Sequence, residues 1–242
     1  MNDLVPFIAK FFIIDNRYKP TINQIYMMAS AWQRLVKQTL ILSIVFWLLF
    51  IFLSLSIDAP LLNLVKTFNE PAGLITLSHL ASEIFSTEVW AGILLVVMFV
   101  NLWYYSQHHV VSRRLLSIAL SLIFAIGLTL CLKILLGRQR PSFGQGHLSW
   151  FRFDDAHHSF PSGHTALTTA GMLGWLWALK RAKQRRWTYL VIFIIFIVAV
   201  SRVLVIRHFL SDVIGGIYIG MIAALWAKGC CHWLQQHSRL MP

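Results

Sequence analysis

Six long apolar segments constrain this chain more than any other feature of its sequence. They cover residues 39–57, 88–105, 115–136, 163–179, 187–206 and 211–228. A segment of about 20 apolar residues can cross the hydrocarbon core of a bilayer as a helix. Apolar residues make up 57% of the chain and charged residues only 12%, which argues against an ordinary soluble domain. The sequence therefore predicts an all-α integral membrane protein built as a six-helix bundle.

The remaining sequence divides around this bundle. Residues 1–38 mix apolar and basic side chains, and they form either a helix in the headgroup region or a loosely packed cytoplasmic arm. Between the first two spans, the half-apolar stretch from Pro71 to Phe85 is typical of an interfacial or re-entrant helix. We therefore predict an N-terminal arm (1–38), a membrane domain (39–228) and a cytoplasmic tail (229–242).

Lys and Arg residues are distributed unevenly between the two sides of the predicted bundle. Fourteen of the 21 lie on the side of the two termini, and seven lie on the other side. Cytoplasmic loops carry the excess of such residues, so both termini are predicted to be cytoplasmic. The distribution of the +12 formal net charge fits a membrane topology, and no nucleic-acid partner is expected.

The seven outer cations cluster where charge is costly. Six of them lie close to the outer ends of the last four spans. A charged side chain near the hydrocarbon core is costly, and it usually has a functional role. The seven are Lys66, Lys133, Arg138, Arg140, Arg152, Arg202 and Arg207. This clustering indicates a functional site on the outer face.

The first candidate piece of that site combines an ammonium with a guanidinium. Lys133 lies near the end of an apolar helix, and Arg140, followed by Pro141, offers a planar fork suited to phosphate oxygens. Together they indicate an anionic ligand. Alternatively, Lys133 extends to the headgroups while Arg140 pairs with lipid phosphate.

The second piece is the run Pro161-Ser162-Gly163-His164 at the start of the fourth span. Proline is favoured in the first turn of a helix, and the backbone donors of Ser162 and Gly163 would then lie at its positive end. Such an end binds anions, and Gly163 permits close approach of a phosphate. A helix start with a chance His164 is the plainer interpretation.

The third piece brackets the turn between the last two spans. Ser201 and Arg202 precede it, and His208 and Asp212 follow, four residues apart and on one helical face if the helix has begun. Asp212 would hold one imidazole nitrogen and leave the other free, as in a catalytic triad. Alternatively, the pair only ties two helices together.

In order, these pieces read K-x6-R-P, P-S-G-H and S-R-x5-H-x3-D. With this three-part signature the chain resembles the type 2 phosphatidic acid phosphatase (PAP2) family, which includes vanadium haloperoxidases and bacterial acid phosphatases. The resemblance implies that His208 attacks phosphorus, that Asp212 fixes its tautomer and that His164 protonates the leaving oxygen. It also implies a set of phosphate-binding residues. These are Lys133, Arg140, Ser162, Gly163 and Arg202.

The resemblance is nearest to bacterial inner-membrane members, and it implies a lipid phosphate substrate in the bilayer, with no metal and no cofactor. Asp154 with His157 or His158 suggests a metal site, but a solvated loop explains these residues as well. The substrates of such members include undecaprenyl diphosphate, lipid A phosphates, phosphatidylglycerol phosphate and phosphatidic acid. An outward-facing site favours the first two.

Three other functions remain open. A phosphotransferase would pass the phosphoryl group to another lipid instead of to water. Vanadate-dependent halide oxidation would use the same oxyanion cradle, although six membrane spans argue against it. A phospholipid-binding or transport protein would use the cations for recognition and would not need His208.

Overall fold

The computed structural model describes residues 22–67 and 72–237 as a bundle of α-helices with short connections. The predicted contacts of residues 1–21 with the membrane lie outside the described residues. The helices are α1 (Ile22–Ser56), α2 (Asp58–Thr67), α3 (Ala72–Ile84), α4 (Thr87–His108), α5 (Arg113–Leu136), α6 (Gly163–Ala178), α7 (Arg181–Leu204) and α8 (Leu210–His237).

All six predicted spans form helices, which confirms the all-α membrane class. Within the described residues, five helical stretches are long and apolar enough to cross a bilayer, and these are Trp32–Ser56, Gly73–His108, Arg113–Leu136, Lys183–Leu204 and Leu210–Gln235. The remaining predicted span, α6, has 16 residues. At 1.5 Å per residue it is about 24 Å long, slightly less than a hydrocarbon core. It is the most enclosed of the helices, with α5, α7 and α8 around it.

Two helix boundaries differ from the predicted domains. Helix α1 begins inside the predicted arm, and α8 continues past residue 228 into the predicted tail. In these extensions a β-carbon on Gly229 would lie 2.9 Å from Leu35 Cδ2. Next to them, the indole of Trp226 packs edge-on against Trp32 and donates a hydrogen bond to Thr39 Oγ1 (3.1 Å). Tertiary contacts of this kind extend a helix beyond its apolar core.

Small residues let the central helices approach closely. A β-carbon on Gly216 of α8 would lie 2.6 Å from the carbonyl oxygen of Ser162, and one on Gly220 would lie 2.6 Å from that of Ala166. Small residues four apart are the usual means of close helix packing in membranes. The contact holds the start of α6 directly against the start of α8, so two of the three sequence pieces are adjacent.

Helices α2 and α3 lie between the first two long helices. Within the stretch 71–85, which was predicted to be interfacial, residues 72–84 form α3, and this helix packs against α7. Helix α2 was not predicted. It follows α1 after the single residue Ile57, and its first residue, Asp58, is buried although it is charged.

Candidate active site

All three sequence pieces meet at one end of the bundle, which we call the site end. It is formed by the last turn of α5, the first turn of α6 and the turn between α7 and α8. A cavity of about 230 Å³ opens there. Its lining residues are His79, Ser82, Glu83, Ser86, Arg140, His164, Arg202, Val205 and Arg207.

The start of α6 lies close to the ammonium of Lys133. A β-carbon on Gly163 would lie 3.7 Å from Lys133 Nζ and 3.2 Å from Thr87 Cγ2. The glycine therefore keeps open the space between the lysine and the helix N-terminus. The N–H groups in the first turn of a helix have no acceptors within the helix, and they complement a negative charge.

Ser162 is the residue that caps α6, and the helix begins at Gly163. Pro161 thus precedes the cap, so its predicted place inside the first turn is wrong. The reason is that the N–H of Ser162 donates to the Asp212 carbonyl (3.0 Å), which ties this segment to α8 before the helix starts. The hydroxyl of Ser162 accepts a hydrogen bond from Thr165 (3.1 Å).

The turn between α7 and α8 is tightly held. The N–H groups of Arg207 and His208 both donate to the Arg202 carbonyl at 3.2 Å. Ile206 has a φ of 52°, an unfavourable value for a β-branched residue that the surrounding contacts must stabilise. The turn fixes His208 just before the helix that carries Asp212.

His208 and Asp212 are close, but they are not hydrogen-bonded. His208 Nδ1 lies 3.8 Å from Asp212 Oδ2, and this nitrogen is buried with no hydrogen-bond partner in the described part of the chain. His208 is 3% exposed and is not among the residues that line the cavity. Catalytic hydrogen bonds are often long in unliganded structures.

Burial lowers the pKa of His208 to about 4, although the neighbouring Asp212 carboxylate opposes the change. The cations of Arg202 and Lys133 act in the same direction as burial. The imidazole is therefore neutral near pH 7. A neutral ring has a lone pair, which is what a nucleophile at phosphorus requires.

The two arginines of the sequence pieces present buried N–H donors. Arg140 Nε and Arg202 Nε are buried without a hydrogen-bond partner in the described residues. Burial lowers the pKa of Arg140, against the opposing effect of Asp155, whose Oδ1 lies 2.6 Å from Arg140 Nη2. Buried donors without acceptors are costly, so both arginines are suited to anionic oxygens.

Asp155–His157 forms a short 3₁₀ helix in the loop between α5 and α6, with Asp154 and His158 as its caps. His157 Nδ1 lies 2.6 Å from Asp154 Oδ1, and His158 Nε2 lies 3.1 Å from the Arg152 carbonyl. Among residues 22–67 and 72–237 no three His, Cys, Asp or Glu side chains are grouped to hold a metal ion. The contacts of Asp154 and His157 are those of a local turn.

Sequence reasoning missed the residues that surround Asp212. Its Oδ1 accepts from Arg138 Nη1 (2.5 Å), and its Oδ2 accepts from the Ser159 hydroxyl (2.5 Å) and the Phe209 N–H (2.9 Å). Arg138 also contacts Asp58 (2.8 Å). Burial alone would lower the pKa of Arg138, but Asp212 and Asp58 keep this pKa above its ordinary value. The available signal was Arg138 itself, an outer cation without an assigned role.

Comparison with known proteins gives one family. The family model described as the PAP2 superfamily matches residues 114–236, just over half of the chain. This range includes all three sequence pieces and the helices α5 to α8 that carry them. A search of curated proteins finds no match.

Two solved structures have a similar fold. The crystal structure of Aquifex aeolicus LpxE is 19% identical with a TM-score of 0.53, over 72% of this chain and 95% of that one. The first transmembrane PAP2-type phosphatidylglycerolphosphate phosphatase from Bacillus subtilis is 18% identical with a TM-score of 0.60, over 81% of this chain and 97% of that one. At these identities the likeness shows the fold.

Proposed function

The chain belongs to the PAP2 superfamily, and we propose that it is a metal-independent lipid phosphatase that acts through a phosphohistidine on His208. The membership confirms the predicted enzyme class, a hydrolase of phosphate esters or anhydrides, and the fold makes it a multi-pass membrane protein. The substrate, the mechanism and the orientation in the membrane are the parts that we propose.

One observation carries the proposal. A buried neutral imidazole, His208, lies beside the Asp212 carboxylate at the same end of the bundle as two arginines with unpaired buried donors. A binding site for phospholipid headgroups needs the arginines. It does not need a neutral histidine placed against a carboxylate, which is the arrangement of a nucleophile with its orienting group.

In the first step, Nε2 of His208 attacks phosphorus. The N–P bond forms as the bond between phosphorus and the lipid oxygen breaks. His164 lines the cavity, and beside the bound phosphate dianion it would be protonated, so that it donates this proton to the lipid oxygen. The ring becomes cationic, and Asp212 stabilises it across the 3.8 Å gap at Nδ1. Lys133, Arg140 and the start of α6 would hold the phosphoryl oxygens.

In the second step, water attacks the phosphohistidine. His164, now neutral, accepts a proton from the water, and the N–P bond breaks so that His208 recovers its lone pair. The products are inorganic phosphate and a free imidazole. The cations of the site supply the electrostatic stabilisation, and no metal is required by this scheme.

The loop over the site supports a lipid substrate. Trp150, Phe151 and Phe153 are 65%, 64% and 75% exposed, and they lie in the segment that connects α5 with α6. Exposed aromatic rings at the end of a membrane bundle are suited to the interface of the bilayer. The lipid tails would remain in the membrane while the head group enters the cavity.

Charge distribution supports an orientation with cytoplasmic termini and a periplasmic site in a bacterial inner membrane. Helix α1 ends and α8 begins at the site end, so the first and last described helical residues lie at the opposite end of the bundle. That opposite side is the one to which the sequence prediction assigns fourteen of the 21 Lys and Arg residues. An outward site favours undecaprenyl diphosphate or lipid A phosphate.

The test is phosphate release from a panel of lipid phosphates by detergent-purified protein with a chelator present. The panel contains undecaprenyl diphosphate, lipid A, phosphatidylglycerol phosphate and phosphatidic acid, because one structural neighbour is a phosphatidylglycerolphosphate phosphatase. His208→Ala should abolish release, and His108→Ala, at the opposite end of the bundle, should not. Chelator-resistant activity that is indifferent to His208, or no activity on any lipid, would contradict the proposal.

An acceptor assay separates hydrolysis from phosphotransfer. With a second lipid present, a phosphotransferase would label that lipid in place of releasing inorganic phosphate. Our proposal expects inorganic phosphate as the main product whether or not an acceptor lipid is added.

A further inference from the structure

Asp212 belongs to a buried group of charged residues and a serine. Asp58 is 4% exposed, Arg138 is 2% exposed, and Ser211 and Asp212 are fully buried. Neither Asp58 nor Arg138 lines the large cavity. Their ion pairs join them to each other and to Asp212, so we expect them to act on the reaction through Asp212.

Arg138 joins the two carboxylates with a saturated set of hydrogen bonds. Its Nη1 donates to Asp212 Oδ1 (2.5 Å) and the Ser211 hydroxyl (2.6 Å), and its Nη2 donates to Asp58 Oδ2 (2.8 Å) and the Ser54 hydroxyl (3.0 Å). Its Nε donates to a loop carbonyl at 3.4 Å. With all five donors used, the guanidinium has a single orientation.

Asp58 also forms hydrogen bonds directly with the first turn of α8. Its Oδ1 accepts the N–H of Ser211 (3.1 Å), and the Ser211 hydroxyl donates to its Oδ2. Asp58 belongs to α2, Arg138 to the loop after α5, and Ser211 to α8. The network thus fixes the segment that carries Asp212 against two other parts of the fold.

The charges of this group matter for the reaction. If Arg138 paired with Asp212 alone, the two side chains would have a net charge of zero. Such a pair would stabilise a cationic imidazole only weakly. Asp58 adds one negative charge, so the three side chains together carry −1. A carboxylate with this net charge favours the imidazolium that forms when His208 is phosphorylated.

We propose that Asp58 is a positioning residue which, through Arg138, orients Asp212 and preserves the net negative charge beside His208. The inference rests on the proposed function, since it assigns Asp58 a role in the His208 reaction. The size of the effect on the rate depends on the distance between the Asp58 carboxylate and the imidazolium. For charges on the order of 8 Å apart at an effective dielectric constant of about 20, removing one carboxylate slows the attack about thirtyfold.

The experiment compares Asp58→Asn, Arg138→Gln and the double variant in detergent-solubilised full-length protein. We expect Asp58→Asn to lower kcat about thirtyfold and to change KM by less than about twofold, because the residue does not touch substrate. The double variant again leaves Asp212 with a net charge of −1, so it should be more active than Asp58→Asn alone. Ser54→Ala removes a hydrogen bond to the same guanidinium without a charge, and its effect should be smaller.

Thermal unfolding tests the charge balance without catalysis. Arg138→Gln leaves two buried carboxylates without their cation, which should lower the Tm on the order of 10 °C, and adding Asp58→Asn should restore part of it. A double variant that is neither more active than Asp58→Asn nor more stable than Arg138→Gln would overturn the inference. If the wild type releases no phosphate, the proposed function fails, and the Tm comparison still decides the charge balance.

Discussion

The ion pair between Arg140 and Asp155 should compete with substrate for the guanidinium. Arg140 Nη2 lies 2.6 Å from Asp155 Oδ1, and Arg140 lines the cavity, so a phosphate that binds both Nε and Nη2 displaces the carboxylate. Asp155 is 72% exposed. An ion pair with one partner so exposed contributes about 0.5–1 kcal/mol after screening by solvent.

Replacing Asp155 by Asn removes this competition. The free-energy difference corresponds to a KM about threefold lower, with kcat unchanged, because the substrate gains binding equally in the ground state and the transition state. Initial rates of phosphate release over a range of lipid phosphate concentrations in mixed micelles would measure both constants. The salt dependence of KM should also weaken, since one screened interaction is lost.

The matched control is Asp154→Asn. Asp154 is the adjacent carboxylate of the same turn and pairs with His157 instead of Arg140, so its removal should leave KM within experimental error. A higher KM for Asp155→Asn would refute the reasoning. It would mean that Asp155 orients Arg140 for phosphate and does not compete with it.

Two further predictions concern the site itself. Gly163→Ala places a methyl group 3.7 Å from Lys133 Nζ, in the space that we assign to the phosphate. We expect kcat/KM to fall about a hundredfold while the Tm stays within a few degrees of wild type. Activity within threefold of wild type would show that no phosphate occupies that space. Burial lowers the pKa of His208 to about 4, whereas a histidine in the unfolded chain has a pKa of roughly 6.5. Between these two pH values the unfolded state binds a proton at this residue and the folded state does not. The free energy of unfolding should therefore fall by up to about 3 kcal/mol as pH falls from about 6.5 to about 4. Chemical denaturation across this range should show a shallower loss for His208→Gln, and a wild type that gains stability toward acid through His208 would indicate a charged ring instead.

The helices and the three-part site were predictable because their signals are local. Apolar length gives the spans, and polar residues at the ends of apolar segments are conspicuous. Arg140, Arg202 and His164 line one cavity, and Lys133 lies beside Gly163, as expected for pieces of one site. The roles assigned to these residues stay predictions.

The contacts that orient Asp212 could not be predicted, because they join distant positions. Asp58 and Arg138 are 80 residues apart, and Asp58 lies in a helix of only 10 residues, too short to be recognised as a membrane span. Arg138 stands out in the sequence as an outer cation, but nothing in the sequence identifies Asp58 as its partner. The same holds for Asp155, whose contact with Arg140 depends on how the loop folds back over the site.

The central claim is a covalent phosphohistidine at position 208, and trapping it is the most direct test. A lipid substrate with a radioactive phosphoryl group would be mixed with enzyme, quenched in alkali within milliseconds to seconds, and digested for peptide mapping. Our account predicts alkali-stable, acid-labile label on His208 that is absent from His208→Ala. An enzyme that turns over the same lipid without label on any residue, or with label elsewhere, would contradict it.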